Sequence, residues 1–240
     1  MHSSGDAAAI VLAGGSGTRV GGPRNKVYLP LRGSPVIAWS LATLAALPGI
    51  GAVVLVVRDA DRDLAERSVE GTAVVEIVTG GATRQESELA GLRLLAARIT
   101  AGVIGTVLIH DGARPLLSRA LAADVLRTAR EVGGAVPGLP RDDLAAAGPD
   151  GIGLAGPAPA GLVAVQTPQG FRAAPLLAAY EEAARLNFSG TDTASCVAAF
   201  APDVPIRAVE GEGRNFKITH GHDLQMAERV LARDADDPAG

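Results

Sequence analysis

Aromatic residues and cysteine are scarce in this chain of 240 residues: aromatics make up 3% of it, and Cys196 is its single cysteine. One cysteine excludes an internal disulfide and is typical of a reducing compartment. Because Cys196 lies among alanine and valine, we interpret it as a small core residue. With so few aromatics, the core has to be built from alanine, valine, leucine and isoleucine.

The chain also lacks an excess of positive charge and a long apolar run. Its formal net charge of -4 at pH 7 argues against a nucleic-acid-binding surface. No basic segment precedes the first apolar run, so no signal peptide is expected, and no run reaches the length of a membrane span. These absences favour a soluble protein of the cytoplasm.

Apolar runs of strand length alternate with segments in which apolar residues recur every three or four positions. This order predicts an α/β fold, with a mostly parallel, twisted sheet covered by helices on both faces. The length suits a single domain over residues 1–240. The predicted strands are 8–13, 52–57, 73–78, 105–110, 133–137, 162–165 and 206–209. The predicted helices are 36–46, 60–69, 84–99, 119–131, 173–185, 191–200 and 223–232.

Residues 138–163 interrupt this alternation. They are rich in proline and glycine, carry the acidic pair Asp142-Asp143, and show little apolar periodicity. Loops of this length in compact proteins are usually functional or disordered. We therefore predict a protruding arm or hairpin here, with a flexible loop as the alternative.

A glycine-rich turn follows the first predicted strand. Its sequence is Leu12-Ala13-Gly14-Gly15-Ser16-Gly17-Thr18-Arg19, and Asn25-Lys26 comes shortly after it. Glycines let main-chain N–H groups approach a phosphate, and Arg19 and Lys26 add mobile positive charge. The combination predicts a site for a nucleoside triphosphate.

Two familiar phosphate motifs do not fit this turn. No Walker A string occurs, and the dinucleotide fingerprint fails because its third glycine would be Val20. The segment Gly21-Gly22-Pro23 also interrupts the helix that this fingerprint requires. An ordinary glycine turn is the alternative, and the two cations favour the functional interpretation.

Asp111 follows the fourth predicted strand, at the edge of the sheet where ligands of open α/β folds collect. A carboxylate there suits Mg²⁺, which bridges phosphates, and Arg114 could bind a second phosphate. Asp111 could instead be a turn residue, and Arg114 an exposed cation. His110 is expected to pack rather than to bind metal. The alternating segment 215–219 predicts a brief strand that could direct Lys217 into the same cleft.

The first turn resembles the signature of nucleotidyltransferases that activate sugar or polyol phosphates. Five more motifs follow in order, and together the six resemble the 2-C-methyl-D-erythritol 4-phosphate cytidylyltransferase family of the non-mevalonate isoprenoid pathway. The resemblance spans residues 8–230. Its five further motifs are Gly-Gly-Ala-Thr-Arg-Gln-Glu-Ser (80–87), His-Asp-Gly-Ala-Arg-Pro (110–115), Gln-Thr-Pro-Gln-Gly-Phe (166–171), Thr-Asp-Thr-Ala-Ser (191–195) and Asn-Phe-Lys-Ile-Thr (215–219).

The resemblance implies a Rossmann-like nucleotidyltransferase fold and the transfer of a cytidylyl group from CTP to a phosphorylated polyol. It implies that Arg19, Lys26 and Lys217 are catalytic and that Asp111 holds Mg²⁺. It also implies a homodimer in which the arm of one subunit completes the acceptor pocket of the other. Nucleotide contacts are implied for Ala13, Gly14, Gly15, Gly17, Gly81 and Ser87, and acceptor contacts for Asp111, Arg114 and Thr167.

The chain departs from the family pattern chiefly in the acceptor half. The family's arm usually carries Asp-Thr-x-Lys, where this chain has Asp142-Asp143-Leu144-Ala145, and Pro159 stands where an arginine is usual. Ala82 replaces a frequent acid, and Asn25 replaces a proline. Three alternatives therefore remain: a cytidylyltransferase for another polyol phosphate such as ribitol 5-phosphate, a sugar-1-phosphate nucleotidyltransferase, and a non-catalytic nucleotide-binding protein.

Overall fold

A mixed sheet of eight strands is the centre of the computed structural model, which describes residues 5–15, 25–70 and 75–236. The strands are β1 (Ala7–Leu12), β2 (Pro30–Leu31), β3 (Ser34–Pro35), β4 (Ile50–Val57), β5 (Val75–Thr79), β6 (Thr106–Asp111), β7 (Gly134–Pro140), β8 (Ala145–Ala147), β9 (Leu154–Pro157), β10 (Val163–Val165), β11 (Gln169–Arg172) and β12 (Ile206–Glu210). The helices are α1 (Val36–Ala45), α2 (Arg62–Ser68), α3 (Arg84–Thr100), α4 (Arg119–Val132), α5 (Ala173–Arg185), α6 (Thr193–Phe200) and α7 (Gly221–Asp236).

The strand order in the main sheet is β10-β7-β11-β6-β1-β4-β5, and β12 pairs with β7. β1 pairs in parallel with β4 on one side and with β6 on the other. Its last residue, Leu12, lies beside Val56 of β4 and Asp111 of β6. The carboxyl ends of three parallel strands therefore meet at one edge of the sheet, which is where the glycine turn begins.

Helices cover both faces of the sheet because the inner strands are apolar on both sides. Alternate residues of β1 illustrate this: Ala9 and Val11 pack in the same core as Leu41 of α1 and Val125 of α4. Ile10 belongs to the core on the other face, with residues of α3 and α5. The predicted α/β fold with a mostly parallel sheet and two helical layers is confirmed.

Two predictions from the sequence differ from the structure. The segment 215–219 is not a strand, because it crosses the ends of the strands instead of running beside one. Ile218 N–H donates to Ala113 O at 2.8 Å, and Asn215 is buried and bonds through its side chain. The antiparallel strand β11 was not predicted, since it is short and contains Gly170.

Residues 138–163 contain a separate two-stranded sheet. β7 extends to Pro140, the hairpin of β8 and β9 follows, and β10 returns to pair with β7. The hairpin is distinct from the main sheet, and its strands are mostly exposed to solvent. That it forms a dimer contact stays a prediction.

Gly91 brings α3 close to β1. A Cβ at this position would lie 2.8 Å from Ile10 Cγ2 and 3.2 Å from Val56 Cγ2, both in central strands. Gly91→Ala is therefore expected to lower the free energy of unfolding by about 1–3 kcal/mol, because overpacking outweighs the gain of about 1 kcal/mol in helix propensity. Chemical denaturation measures the change.

Gly221→Ala is the matched control for Gly91→Ala. Gly221 also lies in a helix, but no atom lies within 4 Å of its Cβ position. Its replacement is expected to leave stability unchanged or slightly raised. A Gly91→Ala protein as stable as this control would show that α3 can move away from the sheet without cost.

Among the described residues, no helix combines the length and the apolar character that a bilayer crossing requires.

Candidate active site

A cavity of about 620 Å³ lies at the carboxyl ends of β1 and β6. Lys26, Asp111 and Lys217 all line it, together with Gly14 and Gly15 of the glycine turn. The volume is typical of a small-molecule site. The glycine turn and the acidic strand end thus face the same space. Gly17 and Arg19, which the sequence also assigns to this site, lie outside the described residues.

The two lysines that line the cavity are the only lysines in the chain; all its other basic residues, out of 22 Lys and Arg, are arginine. A lysine ammonium is a compact charge on a flexible stem, whereas an arginine fork favours fixed bidentate pairs. Because every other basic residue is arginine, the two lysines indicate that positions 26 and 217 require the lysine side chain in particular. This signal is present in the sequence, and counting each basic residue type would have found it.

Asn25 closes the base of the glycine turn. Its side-chain amide donates to Ala13 O at 2.6 Å and to Asp61 Oδ2 at 3.0 Å, and its carbonyl oxygen accepts from Val27 N at 3.4 Å. The last contact caps a short 3-10 helix that begins at Lys26. The asparagine that replaces the family's proline therefore ties the two ends of the turn together.

Asn25→Ala is expected to lower the free energy of unfolding by about 1–3 kcal/mol, because the buried Ala13 carbonyl and the Asp61 carboxylate each lose a donor. Since Lys26 is next in the chain, affinity for the nucleoside triphosphate that the glycine turn is predicted to bind should fall as well. Chemical denaturation and titration calorimetry measure the two changes. Asn25→Asp should lower the free energy of unfolding further, since it places a second carboxylate against that of Asp61. Wild-type values for both variants would contradict this role.

Gly81 and Ser87 also line the cavity, where the chain enters α3, and Ser87 Oγ lies 3.5 Å from the Cβ position of Gly14. Thr83 caps this helix in a capping box with Glu86. A Cβ at Gly81 would lie 2.3 Å from Glu86 Cβ, so this turn requires glycine. Glu86 Oε2 accepts from Ala82 N at 2.6 Å, which places an acid beside the position where the family often has one.

Asp111 is the centre of a cluster of cations. Its Oδ1 accepts from Arg84 Nη1 at 2.6 Å, and its Oδ2 lies 2.8 Å from Lys217 Nζ and 3.9 Å from Arg114 Nε. Burial alone would raise the pKa of Asp111, but Arg84 and Lys217 hold that pKa well below its usual value. Asp111 is therefore an ionised carboxylate in a strongly positive environment.

Arg114 and Thr167 lie behind Asp111. Asp111 N–H donates to Thr167 Oγ1 at 3.0 Å, and Arg114 Nη1 donates to Asn215 O at 2.7 Å. Asn215 in turn donates to Thr167 O at 2.8 Å. These contacts fix the strand end and the segment that carries Lys217. Direct contacts of Arg114 and Thr167 with an acceptor stay a prediction.

His110 packs inside the protein, as the sequence indicates. Its Nε2 lies 3.1 Å from Arg114 O and its Nδ1 lies 3.2 Å from Thr167 Oγ1. Burial lowers the pKa of His110 to about 4, so the imidazole is neutral at pH 7. Through its two ring nitrogens, His110 contacts Arg114 and Thr167, the two residues that lie behind Asp111.

Arg84 and Glu88 belong to the site, although the sequence did not single them out. Arg84 lines the cavity, and its Nε donates to Glu88 Oε1 at 2.9 Å. Burial lowers the pKa of Arg84, but the Asp111 and Glu88 carboxylates together raise it above its usual value. Burial raises the pKa of Glu88, while Arg84 opposes this. The four-residue spacing on a predicted helix was the available signal.

The donor set fits a magnesium ion bound jointly by protein and nucleotide. No group of three or more potential ligands of the His, Cys, Asp and Glu types occurs in the described part of the chain, so a cage made by the protein alone is not present there. Mg²⁺ typically takes one or two carboxylates together with substrate phosphates and water. Asp111 supplies such a carboxylate at the wall of the cavity.

Comparisons of sequence show the family of the chain. The family model for 2-C-methyl-D-erythritol 4-phosphate cytidylyltransferase matches residues 7–233. A protein of that name from Symbiobacterium thermophilum is 37% identical, over 94% of this chain and 93% of its own length. Another, from Cereibacter sphaeroides, is 39% identical, over 94% of this chain and 96% of its own length.

Solved structures give the same assignment. The 4-diphosphocytidyl-2C-methyl-D-erythritol synthase of Anaerococcus prevotii has a TM-score of 0.83 at 27% identity, and the match covers 96% of this chain and 97% of that one. The cytidylyltransferase of Thermus thermophilus has a TM-score of 0.71 at 34% identity, covering 93% and 98%. Sequence, fold and the cavity between the glycine turn and Asp111 thus agree, and the chain belongs to the 2-C-methyl-D-erythritol 4-phosphate cytidylyltransferase family.

Proposed function

We propose that this protein transfers a cytidylyl group from CTP to 2-C-methyl-D-erythritol 4-phosphate and releases pyrophosphate. The observation that carries the proposal is the single cavity lined by Lys26, Asp111 and Lys217 beside the glycine turn. Two cations and a carboxylate in one cavity can bind a nucleoside triphosphate next to a second phosphate group. The two sequence relatives described above bear the name of this activity.

The reaction is an in-line attack of an acceptor phosphate oxygen on the α-phosphorus of CTP. The bond from the α-phosphorus to its bridging oxygen breaks, and pyrophosphate leaves. A phosphate monoester has a second pKa of about 6, so the nucleophile is already ionised at pH 7 and requires no general base. The protein then has to align two polyanions and offset their charge.

Each lysine has a distinct position for this task. Lys26 is held at the base of the glycine turn, where it faces the triphosphate. Lys217 lines the cavity beside Asp111, on the segment that follows β12, and we assign it to the α-phosphate and the acceptor. Arg19 is proposed to join Lys26 on the triphosphate. Gly81 and Ser87, which line the cavity at the start of α3, are proposed to contact the cytidine.

Asp111 is proposed to hold Mg²⁺. The ion would supply charge neutralisation between the phosphates when it is bound. Asp111 provides the ionised oxygen for this contact, and the N–H donated to Thr167 fixes the orientation of the strand end. Arg84 and Lys217 balance the charge of Asp111 before the ion arrives.

The acceptor half of the proposal depends on the arm. An unpaired Asp143 carboxylate would repel an acceptor phosphate, but Arg141 makes two hydrogen bonds to it, at 2.6 and 2.9 Å. This pair offsets the negative charge at the position where the family usually has threonine. Methylerythritol phosphate therefore remains the favoured acceptor, and another polyol phosphate such as ribitol 5-phosphate is the alternative.

A pyrophosphate-release assay tests the function. The purified protein is incubated with Mg²⁺, each of the four ribonucleoside triphosphates, and a panel of phosphorylated polyols. Release that requires both CTP and methylerythritol phosphate is the expected result. Preference for ribitol 5-phosphate or for another nucleotide would replace the proposed reaction with that alternative. CTP binding by calorimetry without turnover on any acceptor would indicate a non-catalytic protein.

We also propose a homodimer in which the hairpin of β8 and β9 meets a second copy of the chain. Ile152 and Leu154 near the hairpin tip are 88% and 78% exposed, and Val163 and Val165 of the neighbouring β10 are exposed as well. Exposed apolar residues in one region are typical of an interaction surface.

The free thiol of Cys196 is buried, which suits the proposed cytoplasmic location.

Analytical ultracentrifugation tests the dimer. The wild-type protein is expected to sediment as a dimer, and Ile152→Asp with Leu154→Asp should shift it toward the monomer without changing the melting temperature. Loss of turnover in this double variant would support an acceptor pocket shared between subunits. A wild-type monomer with full activity would contradict the dimer proposal.

A further inference from the structure

Both carboxylate oxygens of Asp111 already have a cation. Oδ1 accepts from Arg84 Nη1 at 2.6 Å, and Oδ2 lies 2.8 Å from Lys217 Nζ. We expect a metal ion that binds Asp111 to take the place of one of these two groups, because a third cation at contact distance would be repelled by both; Arg114 Nε stays 3.9 Å from Oδ2. Which cation leaves is therefore decided by how firmly each one is held.

Arg84 is held by a second carboxylate. Its Nε donates to Glu88 Oε1 at 2.9 Å while its Nη1 reaches Asp111, so the guanidinium bridges two acids. Lys217 has a flexible stem, and its side chain is 40% exposed. An arginine with two charge-assisted bonds in fixed geometry is harder to displace than a lysine on an exposed stem.

Glu88 is itself fixed from behind. It is 1% exposed, Thr193 Oγ1 donates to its Oε1 at 3.1 Å, and Tyr180 OH donates to its Oε2. Tyr180 and Thr193 come from α5 and α6, on the far side of α3 from the cavity. The backing also explains the Thr-Asp-Thr-Ala-Ser motif, because Thr193 of that motif reaches the site through Glu88.

We propose that Glu88 is a positioning residue: it keeps Arg84 on Oδ1 of Asp111, so that Lys217 alone is exchanged when magnesium and the triphosphate bind. Lys217 then becomes available to the α-phosphate in the same step that frees Oδ2. The proposal rests on the proposed function, since it assumes that Mg²⁺ and CTP occupy this cavity. It adds a buried acid, outside the cavity, that determines which cation of Asp111 is released.

The experiment compares CTP binding with and without magnesium, by titration calorimetry. The measured quantity is the ratio of the Kd for CTP in EDTA to the Kd in Mg²⁺. Glu88→Gln removes the charge of the anchor but keeps its shape. Arg84 is then offset by Asp111 alone and is free to compete with the metal for the triphosphate. The ratio is expected to fall by at least about fivefold.

Tyr180→Phe is the matched control. It removes another hydrogen bond from the same buried carboxylate but leaves the contact between Glu88 and Arg84 in place. Its melting temperature should fall as much as that of Glu88→Gln, while the magnesium ratio stays at the wild-type value. An equal fall of the ratio in both variants would reduce the role of Glu88 to stability and overturn the proposal.

Arg84→Lys keeps the test decisive if Glu88→Gln does not fold. A lysine keeps the positive charge but cannot bridge two carboxylates, so the same fall in the ratio is expected. A wild-type ratio in whichever of these two variants folds would overturn the proposal. If the wild-type protein has the same Kd for CTP in EDTA and in Mg²⁺, that result would instead contradict the proposed function.

A second readout follows Lys217 directly. Lysine labelled with ¹³C at the ε-carbon gives signals from Lys26 and Lys217 only, since the chain has no other lysine. Addition of Mg²⁺ and CTP should shift the Lys217 signal in the wild-type protein. The arginine Nε–H signal of Arg84 should stay protected from exchange in both states. Loss of that protection on ligand binding would show that Arg84 is the cation that leaves.

Discussion

Lys217→Ala is expected to lower kcat by about 10²–10³-fold at saturating CTP and acceptor, which corresponds to about 2–4 kcal/mol of transition-state stabilisation. The physical reason is that charge develops on the α-phosphate as the acceptor oxygen approaches, and Lys217 Nζ is the flexible cation on that wall of the cavity. Steady-state pyrophosphate release measures the change. The Kd for CTP should change much less than kcat, because the triphosphate keeps Lys26.

Lys217→Arg is the informative companion variant. It keeps the charge, but the guanidinium fork can bind Asp111 through two hydrogen bonds and so resist release. We expect CTP binding near the wild-type value and a kcat that stays low. If Lys217→Arg restored turnover, or if Lys217→Ala kept it, the assignment of Lys217 to the reacting phosphates would be wrong.

Lys26→Ala tests the second lysine that lines the cavity. Lys26 is 7% exposed and follows the Asn25 contacts that close the glycine turn. Its loss is expected to lower both the affinity for CTP and kcat, because it faces the triphosphate in the ground state and in the transition state. If Lys217→Ala lowers chiefly kcat while Lys26→Ala lowers both the affinity for CTP and kcat, the two lysines have the separate roles assigned to them.

The fold could be predicted from the sequence because each central strand is a continuous apolar run and each helix has its own periodicity. The start of α3 illustrates this, since Thr83 and Glu86 form the capping box there. The predicted strand over 215–219 was wrong because alternation describes burial and not pairing. Asn215 and Ile218 are buried against different neighbours, and no strand lies beside them.

The candidate site was predictable only where one residue sits at the end of a strand or in a recognisable motif. Asp111 could be found because it ends an apolar strand, and Lys26 because it follows the glycine turn. Arg84 could not be assigned, since its function depends on Asp111, which is 27 positions away. The same holds for Asn25 with Asp61 and for Glu88 with Tyr180, whose contacts arise only when separate elements pack.

Asp111→Asn is expected to remove turnover and to lower the free energy of unfolding by about 3–5 kcal/mol. The carboxylate is 6% exposed and offsets Arg84, Lys217 and Arg114. An amide leaves Lys217 and Arg114 without this counter-charge and Arg84 with Glu88 alone. Chemical denaturation in EDTA measures the stability change apart from any metal effect. Asp143→Asn is the control, because the exposed pair of Asp143 with Arg141 is screened by solvent and should contribute little to stability.

For Asp111→Asn we also predict the change in affinity for CTP, which should not fall when magnesium is absent. Without the Asp111 charge the cavity is more positive, so CTP in EDTA should bind to Asp111→Asn at least as tightly as to the wild-type protein. Magnesium should no longer tighten that binding, because the oxygen proposed to hold the ion has lost its charge. A stable Asp111→Asn protein with a wild-type magnesium response would place the ion elsewhere. Weaker CTP binding in EDTA would mean that Asp111 contributes chiefly by keeping Arg84 and Lys217 in place.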